Sequence, residues 1–148
     1  MLNIARQRGA RVCQAVGKRL PFRDKQFDFV LLVTVICFVD DVPFLFLEFN
    51  RVLKRGGHFI IGFINRNSAL GRLYESRKET SAFYKGARFY SVEDVTSWVK
   101  EAGFGSSRFC QTLLSAPSEA STKNLEVREG CTDGAFVTLD EQKLSLVR

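Results

Sequence analysis

Cys13, Cys37, Cys110 and Cys131 are the thiols of this 148-residue chain, and His58 is its single imidazole. No two of the cysteines stand in a C-x-x-C pair, and one histidine adds little to a ligand set. The pattern therefore predicts no metal site. Cys37 lies inside the apolar run 27–39, where desolvation raises a thiol's pKa and makes it a poor nucleophile. It is expected to act as a small buried hydrophobe, and no catalytic residue is assigned. Arg72, Tyr74, Tyr84 and Arg88 form a different group, set in the charged, tyrosine-rich stretch 65–90. Read from the residues alone, they are polar side chains around a surface loop.

Composition bounds the rest. Hydrophobic residues make up 45% and charged residues 26%, with 14 Phe placed mostly in apolar runs. That is ordinary globular composition with enough apolar material for one core. No apolar stretch reaches the length of about 18 residues that a membrane span needs. The net charge of +6 is concentrated in residues 1–26, which hold seven Lys/Arg against Asp24 alone. Such an end could attract nucleic acid, but it has no interleaved aromatics and no nucleic-acid motif, so a solvated basic helix is expected. With no secretory signal and scattered cysteines, a reducing, cytoplasmic compartment is expected.

Elements must position these groups. Met1–Gly9 reads as the end of a helix with Leu2 and Ala5 inward and Gly9 as C-cap. Alternation over Arg11–Val16 predicts a short strand. The β-branched, Phe-rich run Phe27–Val39 predicts a long strand buried on both faces in the middle of a parallel sheet. Asp40-Asp41 with Pro43 predicts a helix start, and the helix is expected to reach about Lys54, with Lys54 and Arg55 at its C-terminal end, before Gly56-Gly57. His58–Ile64 is a second buried strand, and Asn65–Tyr90 a helical or irregular excursion. Ser91 caps a helix with Asp94 in capping-box position, and Gly103 ends it. Ser107–Leu114 and Ala135–Leu139 are short strands separated by a polar loop over Ala116–Gly130. Strands alternating with helices predict a doubly wound α/β sheet. Ligands of such sheets bind beyond the carboxyl ends of the strands, here near Val16–Leu20, Thr34–Asp40 and Phe63–Asn67.

Several pieces stand in a telling order: Leu20-Pro21-Phe22, then FDFVLLVTVICFVDD (27–41), EFNRVLKRGG (48–57), HFIIGF (58–63), FYKGARFYS (83–91) and AGF (102–104). This order resembles the class I S-adenosylmethionine-dependent methyltransferases, in particular the small-molecule type with LPF…FD…E…RVLKPGG. The resemblance covers roughly Met1 to Leu139. It implies a Rossmann-like α/β sheet with helices on both faces and S-adenosyl-L-methionine as cofactor. It also implies methyl transfer to a small-molecule acceptor by direct displacement, which depends mainly on positioning. Gly17, Lys18, Arg19 and Leu20 would lie near the adenine; Thr34, Val35, Ile36 and Cys37 would line the methyl-donor side. Arg72, Tyr74, Tyr84 and Arg88 would belong to a substrate-covering segment.

Two departures qualify the likeness. The family opens with a strand, a Gly-rich loop, a helix and a second strand ending in an acid. Here no G-x-G segment follows a strand; Gly103-Phe104-Gly105 follows a helix. Lys18 stands where the family often has an acid before LPF. Residues 1–148 are therefore expected to form a single domain, the C-terminal portion of the fold, N-terminally truncated. An exposed sheet edge is expected to follow, met by an upstream segment, a homodimer or a rearrangement. The alternative function is a non-catalytic remnant that binds a partner or oligomerises. A nicotinamide-dependent enzyme would need the same missing glycines, without the motif support.

Overall fold

The computed structural model describes residues 2–113 and 126–144. It contains α1 (Leu2–Gln7), β1 (Phe27–Val33), a 3-10 turn (Ile36–Phe38), α2 (Val42–Val52) and β2 (Leu53–Ile64). There follow α3 (Ala69–Arg77), a 3-10 turn (Lys78–Thr80), α4 (Val92–Glu101), β3 (Phe104–Thr112), β4 (Arg128–Glu129) and β5 (Phe136–Lys143). The strands form one mixed sheet in the order β1-β2-β5-β3-β4. β1 and β2 are parallel, whereas β5 runs antiparallel to both β2 and β3. Among the described residues no helix is long and apolar enough to cross a membrane.

The core lies between the sheet and the helices α2 and α4. Phe59, Ile61 and Phe63 of β2 and Val137 and Leu139 of β5 point to one face, as period-two alternation requires. They meet Phe46 and Phe49 of α2 and Val95 and Val99 of α4 in one apolar cluster. Phe59 is the hub, with ring centroids 5.1 Å from Phe46, 5.1 Å from Phe49 and 5.5 Å from Phe104. Both helix starts behave as the sequence suggests. The Asp41 carboxylate accepts from Phe44 N–H at 3.1 Å, with Pro43 in the first turn. Ser91 and Asp94 complete a capping box.

Several local expectations are corrected. Arg11–Val16 is not a strand; it is largely exposed, and the bridge from Val16 to Arg19 replaces a ladder. Alternation alone does not make a strand without a neighbour to satisfy its backbone groups. Leu2 and Ala5 are not buried, and α1 has no buried residue. Phe27–Val39 is not one long strand. Thr34 turns left-handed, at φ 54°, and ends β1 at Val33. Nor is β1 in the middle of the sheet. It is an edge strand with β2 as its ladder partner, and Phe29, Leu31 and Val33 on one face are exposed.

α2 stops at Val52 rather than near Lys54. Leu53 is extended and fully buried, and the Lys54 ammonium turns to Asp28 at 2.8 Å. The cation in the last turn of α2 is therefore Arg51. Gly56 and Gly57 lie inside β2, where Phe27 pairs with Leu53 but Phe29 pairs with His58. Gly56 has φ 71°, and a Cβ on Gly57 would stand 3.0 Å from two backbone carbonyl oxygens. Both positions therefore exclude other residues at little cost only to glycine. Of the Asn65–Tyr90 excursion, Ala69–Arg77 is the α-helical part. β3 and β5 start or end beyond their expected limits, and Arg128–Glu129 of the expected polar loop forms a short strand. Leu114 and residues 116–125 lie outside the described residues.

Candidate functional site

The carboxyl ends of β1 and β2 lie side by side and each opens into a turn. Beyond β1, Thr34 N–H donates to Gly62 O of β2 at 2.8 Å, and the Thr34 hydroxyl donates to Val33 O at 2.8 Å. A β-branched residue at φ 54° carries strain, of about 1–2 kcal/mol. The left-handed step sends the chain away from the sheet, so Val35 faces outward while Ile36 and Cys37 turn back into the core. Beyond β2, Asn65 pairs in parallel with Tyr90, and Arg66 N–H donates to Tyr90 O at 2.9 Å.

The segment 74–90 folds over these two ends. Arg88 N–H donates to Cys37 O at 2.8 Å, tying the segment to the β1 turn. Cys37, Ala87 and Phe89 form a second apolar cluster, with Ile64, Tyr74 and Tyr84 packed against it. Tyr84 neighbours two rings: 4.9 Å from Tyr74 and 6.4 Å from Phe38, near-parallel to the latter. Phe89 is 5.4 Å from Tyr84 on another side. Burial pushes the Cys37 thiol and the Tyr84 phenol up, so both stay protonated at neutral pH. Burial also raises Tyr90, with Arg88 pulling the other way.

Two cavities meet at Tyr84. The inner one, between Thr34, Cys37, Phe63 and Arg88, holds about 20 Å³. That is room for about one water. The outer one, lined by Tyr74, Arg77, Thr80, Ser81 and Tyr84, holds about 290 Å³. That approaches the lower end of small-molecule sites, about 300 Å³.

The other expected segment lies along α2. Gly17 packs so tightly on Leu45 that a Cβ would come within 2.8 Å of its Cδ1. Lys18 pairs with Asp41 at 3.4 Å, while Arg19 is exposed and Leu20 packs on the main core. This segment is held by a clamp that sequence reasoning missed. The Glu48 carboxylate accepts from Leu20 N–H at 3.0 Å. The Arg51 guanidinium donates to Leu20 O at 3.1 Å, Phe22 O at 2.9 Å and Asp24 at 2.7 Å, and also to Glu48 at 2.8 Å. Its planar fork thus fastens three points of one loop to α2. The charge-assisted bond from Arg51 holds the Glu48 carboxyl below the usual range. The available signal was the spacing Glu48-x-x-Arg51, which puts both groups on one helix face opposite Leu20-Pro21-Phe22.

The structure therefore brings together Thr34, Ile36, Cys37, Tyr74, Tyr84 and Arg88, with Phe38, Phe89 and Arg77 as unexpected neighbours. Gly17, Lys18, Arg19 and Leu20 stand beside α2, whose first turn directly follows the β1 turn. Val35 faces outward. Arg72 is apart from the tyrosines; its guanidinium donates to Asn67 O at the start of its own helix. None of the eight residues expected near a cofactor supplies a carboxylate for sugar hydroxyls.

Comparison with known proteins agrees with this fold. A methyltransferase domain model matches residues 1–61. An uncharacterised protein of Methanocaldococcus jannaschii is 42% identical over 144 residues, covering 97% of this chain and 69% of the relative. The crystal structure of a Thermotoga maritima protein, described as an S-adenosylmethionine-dependent methyltransferase and possible histamine N-methyltransferase, superposes with a TM-score of 0.91. It is 46% identical, and the match covers 97% of this chain and 69% of that one. The YcgJ protein of Bacillus subtilis shares the fold at 15% identity, with a TM-score of 0.63 over 97% of this chain and 76% of that one. S-adenosyl-L-methionine is accordingly the expected cofactor. By sequence and fold, the chain belongs to the S-adenosylmethionine-dependent methyltransferases.

Proposed function

We propose that the chain binds S-adenosyl-L-methionine across the carboxyl ends of β1 and β2 and methylates a small-molecule acceptor held under segment 74–90. The observation that carries this reading is the junction itself. The turn Thr34–Cys37 and the aromatic cover are joined by the Arg88–Cys37 backbone bond and share one apolar cluster. When bound, the cofactor supplies an electrophilic methyl group. The protein's task is then orientation and exclusion of water rather than acid–base chemistry. Leu20 and the loop fixed by Arg51 would flank the base. Thr34, Val35, Ile36 and Cys37 would form the wall on the donor side. Tyr74, Tyr84 and Arg88 would face the acceptor, and Arg72 would only brace the start of α3. Residues 1–148 would act as one unit in the cytoplasm, where the four free thiols stay reduced.

Thermal melts with and without S-adenosylhomocysteine test this. A ligand at 100 times its Kd stabilises the folded state by about 2.7 kcal/mol, so an upward shift of several degrees is expected. A cooperative melt that does not move with ligand would remove the cofactor-binding reading for this chain. One observation favours a second reading. The exposed apolar row Phe29, Leu31 and Val33 on the unpaired edge β1 suits a partner strand or a second copy.

A further inference from the structure

The tyrosine cavity has a charge character that bears on the acceptor, an inference that rests on the methyltransferase reading just given. Its walls are flat. Tyr74 and Tyr84 stack at 4.9 Å, and both line a slot of about 290 Å³. The charged group lining this outer cavity is Arg77; the one lining the inner cavity on the far side of Tyr84 is Arg88. No Asp or Glu lines either. Neither arginine is in an ion pair among the described residues. Glu75, which does not line either cavity, is paired through one oxygen with Lys78 at 2.6 Å, and its other oxygen is buried without a partner. Thr80 and Ser81 add hydroxyls to the same wall. Because Tyr84 is held protonated, its O–H is a donor and not a second negative charge.

A cation entering this slot would meet like charge and no carboxylate in the lining, whereas a carboxylate would meet guanidinium groups and hydroxyl donors. We infer that the acceptor is a planar aromatic carboxylate. Its ring lies against Tyr74 and Tyr84, and its carboxylate is taken by Arg77, with Arg88 adding to the positive field from the inner side.

Two probes with the same ring and opposite charge separate the possibilities: 4-hydroxyphenylacetate and tyramine, each titrated calorimetrically into the full chain. The anion is expected to bind at least about tenfold more tightly, the preference one charge-assisted contact supplies. Arg77→Gln should erase most of that preference while Arg23→Gln, an exposed charge elsewhere, should not. Tyr84→Leu should weaken the anion without restoring the amine. Equal binding of the two probes, preference for tyramine, or binding of neither would overturn the inference. S-adenosylhomocysteine titrated into the same samples reads the cofactor site separately. Cofactor-product binding with tyramine preferred would refute the acceptor class and leave the methyltransferase reading standing. Loss of S-adenosylhomocysteine binding alone would count against that reading instead.

Discussion

Arg51 shows how one side chain can decide the position of a loop without touching a ligand. It spends its donors on Leu20 O, Phe22 O, Asp24 and Glu48, and Glu48 in turn holds Leu20 N–H. Arg51→Ala would leave the Glu48 carboxylate unpaired in a half-buried place and free the loop. Urea unfolding is expected to show a loss of about 2–3 kcal/mol, with Arg51→Lys recovering less than half. The pH profile gives a second reading. Glu48 titrates below its ordinary range when folded, so it contributes stability above the unfolded carboxyl pKa, and that contribution is lost as pH falls through the folded value. The acid-side loss should shrink in Arg51→Ala. An unchanged profile would mean that the clamp seen between these side chains has no energetic weight in solution.

Among the elements, β5 carries the most unusual residue. Glu141 is fully buried on the core face and takes a hydrogen bond from the Ser107 hydroxyl, while its second oxygen has no partner. Burial raises its pKa, with Ser107 and Lys100 opposing that rise only in part. A raised carboxyl favours folding at pH below the unfolded value and ceases to do so as pH climbs through the folded one. Glu141→Gln should therefore raise the melting temperature at pH 8 by about 3 °C and leave it nearly unchanged at pH 4. A gain of equal size at both pH values would point to packing rather than titration.

This strand also shows what the sequence could and could not reveal. Asp41, Pro43, Ser91 and Asp94 declare their helices because capping is local chemistry, written within four residues. The apolar content of Phe27–Val33 declares a strand for the same reason. Its place at the sheet edge depends on which distant strands lie beside it, and no local pattern encodes that. The end of β1 was hidden because a β-branched threonine is a poor candidate for the left-handed turn it makes. In the site, Tyr74, Tyr84 and Arg88 were legible as a polar cluster. Phe38, Phe89 and Arg77 were not, since only the folding of segment 74–90 onto the β1 turn brings them there.

At the scale of the whole molecule, the sheet is covered unevenly. α2 and α4 bury one face, while Phe29, Leu31 and Val33 are exposed along the other side of β1, with Phe29 stacked on His58 at 5.5 Å. An apolar, unpaired edge invites association. Sedimentation of the chain should show concentration-dependent oligomers, and Leu31→Glu should reduce them. Because Leu31 is 68% exposed, the substitution should cost no more than about 0.5 kcal/mol. A monodisperse parent chain would show that this edge is protected in another way.

The order of the strands has a consequence for the making of the protein. β5, late in the chain, is the strand that joins β2 to β3, and Ile61, paired on one side with Leu32 of β1, finds its other cross-strand neighbour in Leu139. A ribosome that has already extruded β1, β2 and β3 has therefore produced two pieces of sheet without the strand between them. Until residues 136–143 emerge, Phe59 and Phe104 have a gap where the chain must later insert. Vectorial synthesis thus works against this topology, because the two pieces can be joined only once residues 136–143 are available.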